Sequence, residues 1–408
     1  MPEAGAQMQS SEKRARVGPL ISVIMANFQA GGRIVPAIRS VLGQTMGDIE
    51  IIVSDDASRD NSLALVRAMM AADPRIRISP AEANRGPAHC RNRALDMARG
   101  DWVAIVDSDD IIHPERFERL LALAARHNAD IVADDLLLFH EDGSPPRLML
   151  GAEAQASFIV SPIQWVLAGL DGSPALGYLK PMIRAERLRA VRYDEALRIG
   201  EDYDFVLRLL LDNARMVVAP EPLYLYRRHS ASISYRLSVD DMKAMVDRQL
   251  AFVGDHQPLP TDLAAALATR LAALQQGLSY EELVSSIKER KLRHALGLLG
   301  RNPGHFGRLW NSFMEGRQHR ERDHKAPPDH SEPLVLGGQG SSGASRIVPD
   351  YVPTALVDWS LPRPRGIWRE LASHAGTRCV ALDQAGRYAA GFIPEVLLAD
   401  ASVAREAS

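Results

Sequence analysis

Cysteine is almost missing from this chain: Cys90 and Cys379 are the only two in 408 residues. They stand far apart and match no zinc-site or Cys-x-x-Cys spacing, so a reduced, cytosolic setting is the economical expectation. Long apolar runs are missing as well. No stretch approaches the ~18 apolar residues of a membrane span, so membrane contact is expected to be peripheral at most. Lys13, Arg14 and Arg16 lead into no apolar run of signal-peptide form. No G-x-G-x-x-G follows the first apolar strand, which disfavours a dinucleotide fold, and no Walker A sequence supplies a phosphate cradle. Charge of one sign is not in excess: a formal net charge of −3 offers no whole-chain reason to bind nucleic acid.

What is present is ample apolar material, 46% of residues, arranged in alternating short runs. Leu20–Phe28, Ile49–Val53, Ile76–Ile78 and Trp102–Val106 read as buried strands. Between them Ile34, Ile38, Val41 and Leu42 recur at helical spacing, a helix is expected over roughly 62–72, and Pro87 and Pro114 start two more. Such alternation predicts an α/β architecture with a parallel sheet and right-handed crossovers. Further strands are expected near 129–138 and at Met216–Val218, with an amphipathic helix after Asp202. Residues 239–300 are rich in Ala and Leu at helical spacing and predict a helical appendage.

The strand Trp102–Val106 ends in Asp107-Ser108-Asp109-Asp110. Carboxylates this close repel one another unless a cation lies among them. They also sit at a strand's carboxyl end, where open α/β sheets bind ligands. Hard oxygen donors of this kind suit Mg²⁺ or Mn²⁺, shared with a substrate's phosphates. A solvated turn ahead of a helix is the plainer alternative. Asp55-Asp56 ends the preceding long strand and reads equally as a nucleotide contact or as a helix cap. Arg91, in the first turns of the helix opened by Pro87, can reach a diphosphate bidentately or simply face solvent. Glu201 and Asp202 follow Gly200 at a helix start, where acids favour the dipole; one of them can instead be a general base. His229 lies in an Arg- and Ser-rich stretch and can complete a metal shell with Asp109.

Six elements, in order, make the chain resemble a family 2 glycosyltransferase of the GT-A fold: Val23-Ile24-Met25-Ala26-Asn27-Phe28, Ser40–Thr45, Asp55-Asp56-Ala57-Ser58, Asn84-Arg85-Gly86-Pro87 with Arg91-Asn92, Asp107-Ser108-Asp109-Asp110, and Gly200-Glu201-Asp202. More narrowly, Met25–Val35, Asp107–Leu120, Gly177–Leu188 and Gly200–Arg208 resemble the succinoglycan repeat-unit glucosyltransferases of rhizobia. The resemblance implies a Rossmann-like, mostly parallel sheet flanked by helices, an inverting transfer, and UDP-glucose as donor. It also implies a polyprenyl-diphosphate-linked oligosaccharide as acceptor, at the inner face of the cytoplasmic membrane. By position it puts the uridine at Ala26, Phe28 and Asp56 and the diphosphate near Arg91. Asp107 and Asp109 match the metal motif, with Asp109 the direct ligand of Mg²⁺ or Mn²⁺ and His229 a late contact. Asp202 matches the catalytic base. Phe28 stands where Tyr is frequent, which keeps stacking and loses a hydroxyl. The Gln-x-x-Arg-Trp motif of processive synthases is absent, so addition of a single sugar is expected.

The organisation expected is an unstructured stretch at 1–18, the catalytic unit at 19–238, helices at 239–325, a Pro/Gly/Ser-rich linker at 326–346 and a terminal segment at 347–408 with no assigned role. Lys and Arg interleaved with Leu, Phe and Trp over 286–325 suit an anionic membrane surface or the solvated face of a packed helix. Two rival functions compete with that resemblance. A sugar nucleotidyltransferase would need a glycine-rich phosphate loop that is missing. A non-catalytic sugar-binding module would not need Asp107, Asp109 and Asp202 intact.

Overall fold

The structure is a computed structural model. It describes residues 18–140, 147–151, 154–170, 172–228, 237–307 and 309, together with four short strands at 334–337, 355–356, 378–381 and 397–399. The chain opens with strand β1 (Ile21–Asn27), helix α1 (Ile34–Leu42), β2 (Ile49–Asp55), α2 (Ser62–Ala72), β3 (Ile76–Pro80), α3 (Pro87–Met97) and β4 (Trp102–Ile105). All seven residues of β2 are buried. A strand buried along its whole length belongs inside a sheet covered on both faces. Helix α1 buries Ile34, Ala37, Ile38 and Val41, one stripe at helical period, against that sheet.

After β4 come β5 (Ile111–Ile112), α4 (Arg116–His127), β6 (Ile131–His140), β7 (Arg147–Leu148), β8 (Phe158–Val160), α5 (Pro162–Leu167), β9 (Met182–Arg184), α6 (Glu201–Leu211) and β10 (Met216–Arg228). The spatial order is β3-β2-β1-β4-β9-β6-β10-β5, with β7 beside β6 and β8 beside β10. Strands β3, β2, β1 and β4 are parallel, and so are β6 and β10. Between these two blocks β9 runs antiparallel to both neighbours. Simple strand–helix alternation does not foretell that seam, because β9 is three residues long and follows an irregular segment. Strand β10 is also longer than Met216–Val218. Its pairing with β6 shifts register between Ala219 and Tyr224, where Pro220 and Pro222 interrupt the ladder, and then resumes.

Two consequences place the site. The carboxyl ends of β1, β2 and β4 lie together, so Asn27, Asp55 and Asp107 reach one edge. Because β9 runs backward beside β4, its approach meets that edge: the Ile105 N–H donates to the Pro181 carbonyl at 3.1 Å.

Helices α7 (Val239–Asp255), α8 (Thr261–Lys288) and α9 (Leu292–Arg301) follow. The core runs from the sheet into α7 and α8 without a break, through Phe252, Leu263, Ala266 and Leu267, and α9 packs on α8 in a separate cluster of Leu283, Ala295 and Leu298. Among the described residues no helix is long and apolar enough to cross a membrane. The four strands of the terminal segment, β11 to β14 in chain order, form a parallel sheet ordered β12-β11-β13-β14.

Candidate active site

Helix α6 starts at Gly200, whose φ of +87° is left-handed backbone that a side chain would strain. That turn delivers Glu201 and Asp202 to the edge where β4 ends. Helix α3 starts the same way, from Gly86 at φ +92° with Pro87 in its first turn, and carries Arg91 to the same place.

There the charges interlock. Arg91, 5% exposed, contacts Glu201 Oε1 at 2.6 Å, Asp107 Oδ1 at 3.2 Å and Asp202 Oδ1 at 3.4 Å. Lys180, 4% exposed, bridges Asp107 Oδ2 at 2.8 Å and Asp202 Oδ2 at 3.4 Å. The Lys180 carbonyl accepts from Arg116, a fully buried guanidinium paired with buried Asp134 at 2.8 Å and lying over the Tyr224 ring. Tyr224 in turn accepts from the Asp107 N–H at 3.0 Å and donates to Asp110 Oδ2 at 2.8 Å. Asp110 Oδ1 accepts the Arg227 N–H at 2.7 Å. Strand β5 pairs with β10 opposite Tyr224, which is why a residue so late in the chain reaches this turn.

Burial alone would raise the Asp107 carboxyl, but Lys180 and Arg91 overcome it and hold its pKa at about 2. The same carboxylates keep both cations charged: against burial, Asp107 and Asp202 raise Lys180 well above its ordinary value, and Asp202, Glu201 and Asp107 do so for Arg91. Glu201 is pushed up to about 7 by burial and by neighbouring Asp202. Its 2.6 Å contact with a charged Arg91 opposes that shift without cancelling it. Asp110 is raised well above the ordinary range by burial, then by Asp109 and Asp107.

The nucleotide candidates lie beside this cluster. Ala26 is half-buried near the end of β1, and Phe28 just beyond it is 47% exposed. Asp56 is 3% exposed, and its carboxylate accepts the Arg85 and Gly86 N–H groups at 2.9 and 2.8 Å, so it pins the loop ahead of α3. Asp55 accepts from Asn27 Nδ2 at 2.6 Å and from the Ser58 N–H at 3.0 Å. Asp109 is half-buried on the turn after β4, and its carbonyl accepts from Arg227 Nε at 2.9 Å. His229 lies outside the described residues.

Among the described residues no three Asp, Glu, His or Cys side chains converge as a metal's shell. Asp107 keeps its negative charge although it already meets two protein cations, and Asp109 stands beside it on the same turn. Hard anionic oxygen donors of this kind fit a Mg²⁺ or Mn²⁺ ion held by one or two carboxylates and completed by a ligand's phosphates.

The structure therefore brings Arg91, Asp107 and Asp202 into contact. It adds Lys180, to which sequence reasoning assigns no role. The available signal was a lysine within the apolar approach to a strand, Tyr178-Leu179-Lys180-Pro181-Met182. Asp202 Oδ1, buried and 3.4 Å from Arg91, accepts no hydrogen bond.

The model of the family described as glycosyl transferase family 2 matches residues 22–164. Over 288 residues the chain is 33% identical to the succinoglycan biosynthesis protein ExoO of Rhizobium meliloti, an alignment covering 68% of this chain and 80% of that protein. It is 25% identical over 329 residues to ExoU, a second succinoglycan biosynthesis protein of that organism, covering 78% and 93%. Among solved structures, S. aureus TarS in complex with UDP-GlcNAc aligns with a TM-score of 0.52 at 22% identity, over 69% of this chain and 80% of that one, a likeness of fold.

Proposed function

The chain belongs to glycosyl transferase family 2 and has the GT-A fold, and we propose that it is an inverting enzyme adding one sugar, glucose from UDP-glucose, to a lipid-linked oligosaccharide in exopolysaccharide assembly. The observation that carries the chemistry is Lys180. Its Nζ lies 2.8 Å from Asp107 and 3.4 Å from Asp202, so the motif that meets the donor's diphosphate and the candidate base are one side chain apart.

In this reading Ala26, Phe28 and Asp56 receive the uridine and Arg91 lies toward the diphosphate. Asp109 and Asp107 would hold Mg²⁺ or Mn²⁺ with the donor's phosphates, and the ion would supply positive charge to the leaving group. Asp202 accepts the proton of the acceptor hydroxyl as that oxygen bonds to the anomeric carbon. The bond from that carbon to the diphosphate oxygen breaks, its electron pair leaves with UDP, and configuration inverts. Arg91 and Lys180 hold Asp202 in place beside Asp107. The absence of a hydrogen bond to Asp202 Oδ1 supports a lone pair free to take the proton.

The names of the two rhizobial relatives, both succinoglycan biosynthesis proteins, support the exopolysaccharide assignment. Helix α9 supports a membrane-facing site: Leu292, Leu296 and the following Phe306 are 63%, 68% and 66% exposed among Lys291, Arg293 and Arg301.

The test is Mn²⁺-dependent hydrolysis and binding across a panel of nucleotide sugars. UDP-glucose should bind and be slowly hydrolysed. Binding of another nucleotide sugar with none of UDP-glucose would reassign the donor, and no metal-dependent turnover of any would remove the catalytic reading.

A further inference from the structure

Helices α6, α7 and α8 leave a cavity between them, lined among others by Tyr203, Asp204, Arg248, Gln249, Phe252 and Arg270. It shares no lining residue with the cluster of Arg91, Asp107, Lys180 and Asp202. About 20 Å³ is open to the centre of a water-sized sphere, room for one or two waters or one small polyatomic ion.

The charges around it do not balance locally. Asp204 is fully engaged, with Oδ2 2.7 Å from Arg208 Nη2 and Oδ1 2.9 Å from Arg248 Nε. Arg248 also meets Asp194 at 3.1 Å. Arg270 makes no ion pair among the described residues; its guanidinium lies 3.4 Å over the Tyr203 ring. Burial without a carboxylate alongside pushes its pKa down.

Three hydrogen-bonding groups here have no partner among the described residues: Arg270 Nε, Gln249 Nε2 and the Tyr203 hydroxyl. Gln249 is 5% exposed, so bulk water does not serve it. Buried polar groups are nearly always satisfied, and buried charges are nearly always paired. Arg270 as a whole is half-buried, and water can satisfy these donors but supplies its guanidinium with no counter-charge. An oxyanion answers both needs, since its oxygens accept from N–H and O–H donors and its charge pairs with a guanidinium.

We propose that this cavity is an oxyanion site, separate from the donor cleft, that takes one phosphate or carboxylate group. Tyr203 belongs to the first turn of α6, next to Asp202, and the Trp165 indole donates to its carbonyl at 3.1 Å. The bound group would therefore tie α8 to the turn that carries the candidate base. The inference does not depend on which sugar is transferred.

The experiment uses the full chain, with thermal shift and calorimetry against sodium phosphate and sodium acetate at constant ionic strength. One or both should raise the melting temperature saturably, with one site per chain. A response to phosphate alone assigns a phosphate site, and a response to acetate alone assigns a carboxylate site. Arg270→Met should weaken the binding at least ~10-fold, and Gln249→Leu, which keeps the charge, by less. Phosphate lodged in the donor cleft would bind Arg270→Met as it binds the wild type, and that result would overturn the proposal. So would the absence of a saturable response in the wild type, which would mean that the cavity holds only water. Should Arg270→Met fail to fold, unchanged affinity in Gln249→Leu would count against the site equally.

Discussion

Lys180→Met should cost more stability than its single positive charge suggests. The substitution keeps most of the buried stem and removes the ammonium that bridges Asp107 and Asp202. Breaking a fully buried pair by removing one partner costs ~3–5 kcal/mol, because the other charge stays behind. Here the two carboxylates are 22% and 19% exposed. Arg91 also remains to face both, which places the expected loss at about 2–3 kcal/mol. The pH dependence has a definite sign. The folded Asp107 carboxyl is lowered from 3.8 to about 2, so its stabilising contribution is complete above pH 3.8 and is lost as pH falls toward 2. Removing Lys180 shrinks that contribution. The gap between wild type and mutant should therefore be full at pH 7 and narrow as pH falls below about 4. Urea unfolding of EDTA-treated protein at several pH values measures it. A double-mutant cycle with Asp107→Asn should give a coupling of roughly 0.5–3 kcal/mol. A loss below about 0.5 kcal/mol at pH 7 is what an ordinary surface change would give. That value, or strict additivity in the cycle, would refute the bridging role.

Five further outcomes can be checked. Asp202→Asn should leave donor affinity almost unchanged and lower transfer by ~10²–10⁴-fold, the usual worth of a general base; near-normal turnover would remove Asp202 from the mechanism. Glu201→Gln tests the neighbour. Because the folded Glu201 carboxyl is raised from 4.5 to about 7, wild-type stability should fall as pH rises through that window, and urea midpoints of the mutant should lack that decline. Tyr224→Phe strands the Asp107 N–H and Asp110 without the hydroxyl and should cost roughly 1–3 kcal/mol in the same unfolding assay. Asp109→Ala should abolish Mn²⁺-dependent UDP binding by calorimetry with the circular dichroism spectrum unchanged. Leu292→Glu with Leu296→Glu should reduce flotation with anionic liposomes; equal flotation would detach α9 from the membrane role.

Residue order alone set the alternation of strand and helix, and with it the sheet edge where open α/β sheets bind ligands. It also located the acids, because Asp107-x-Asp109 after an apolar strand and Glu201-Asp202 after a glycine are local patterns. Their neighbours were set by tertiary structure. Lys180 meets Asp107 because a three-residue strand runs backward between two parallel blocks, and no local pattern encodes that pairing. Tyr224 reaches the Asp107 N–H across 117 residues, after two prolines and a register shift. Arg91 shows the difference most clearly. Its helix position was legible and suggested a phosphate partner, yet in the folded chain it faces three carboxylates. A guanidinium's reach is set by its own element, but the charge that it meets is set by every element packed against it. Only the closed fold, with its cost for leaving any charge buried alone, decides which of those partners must be present.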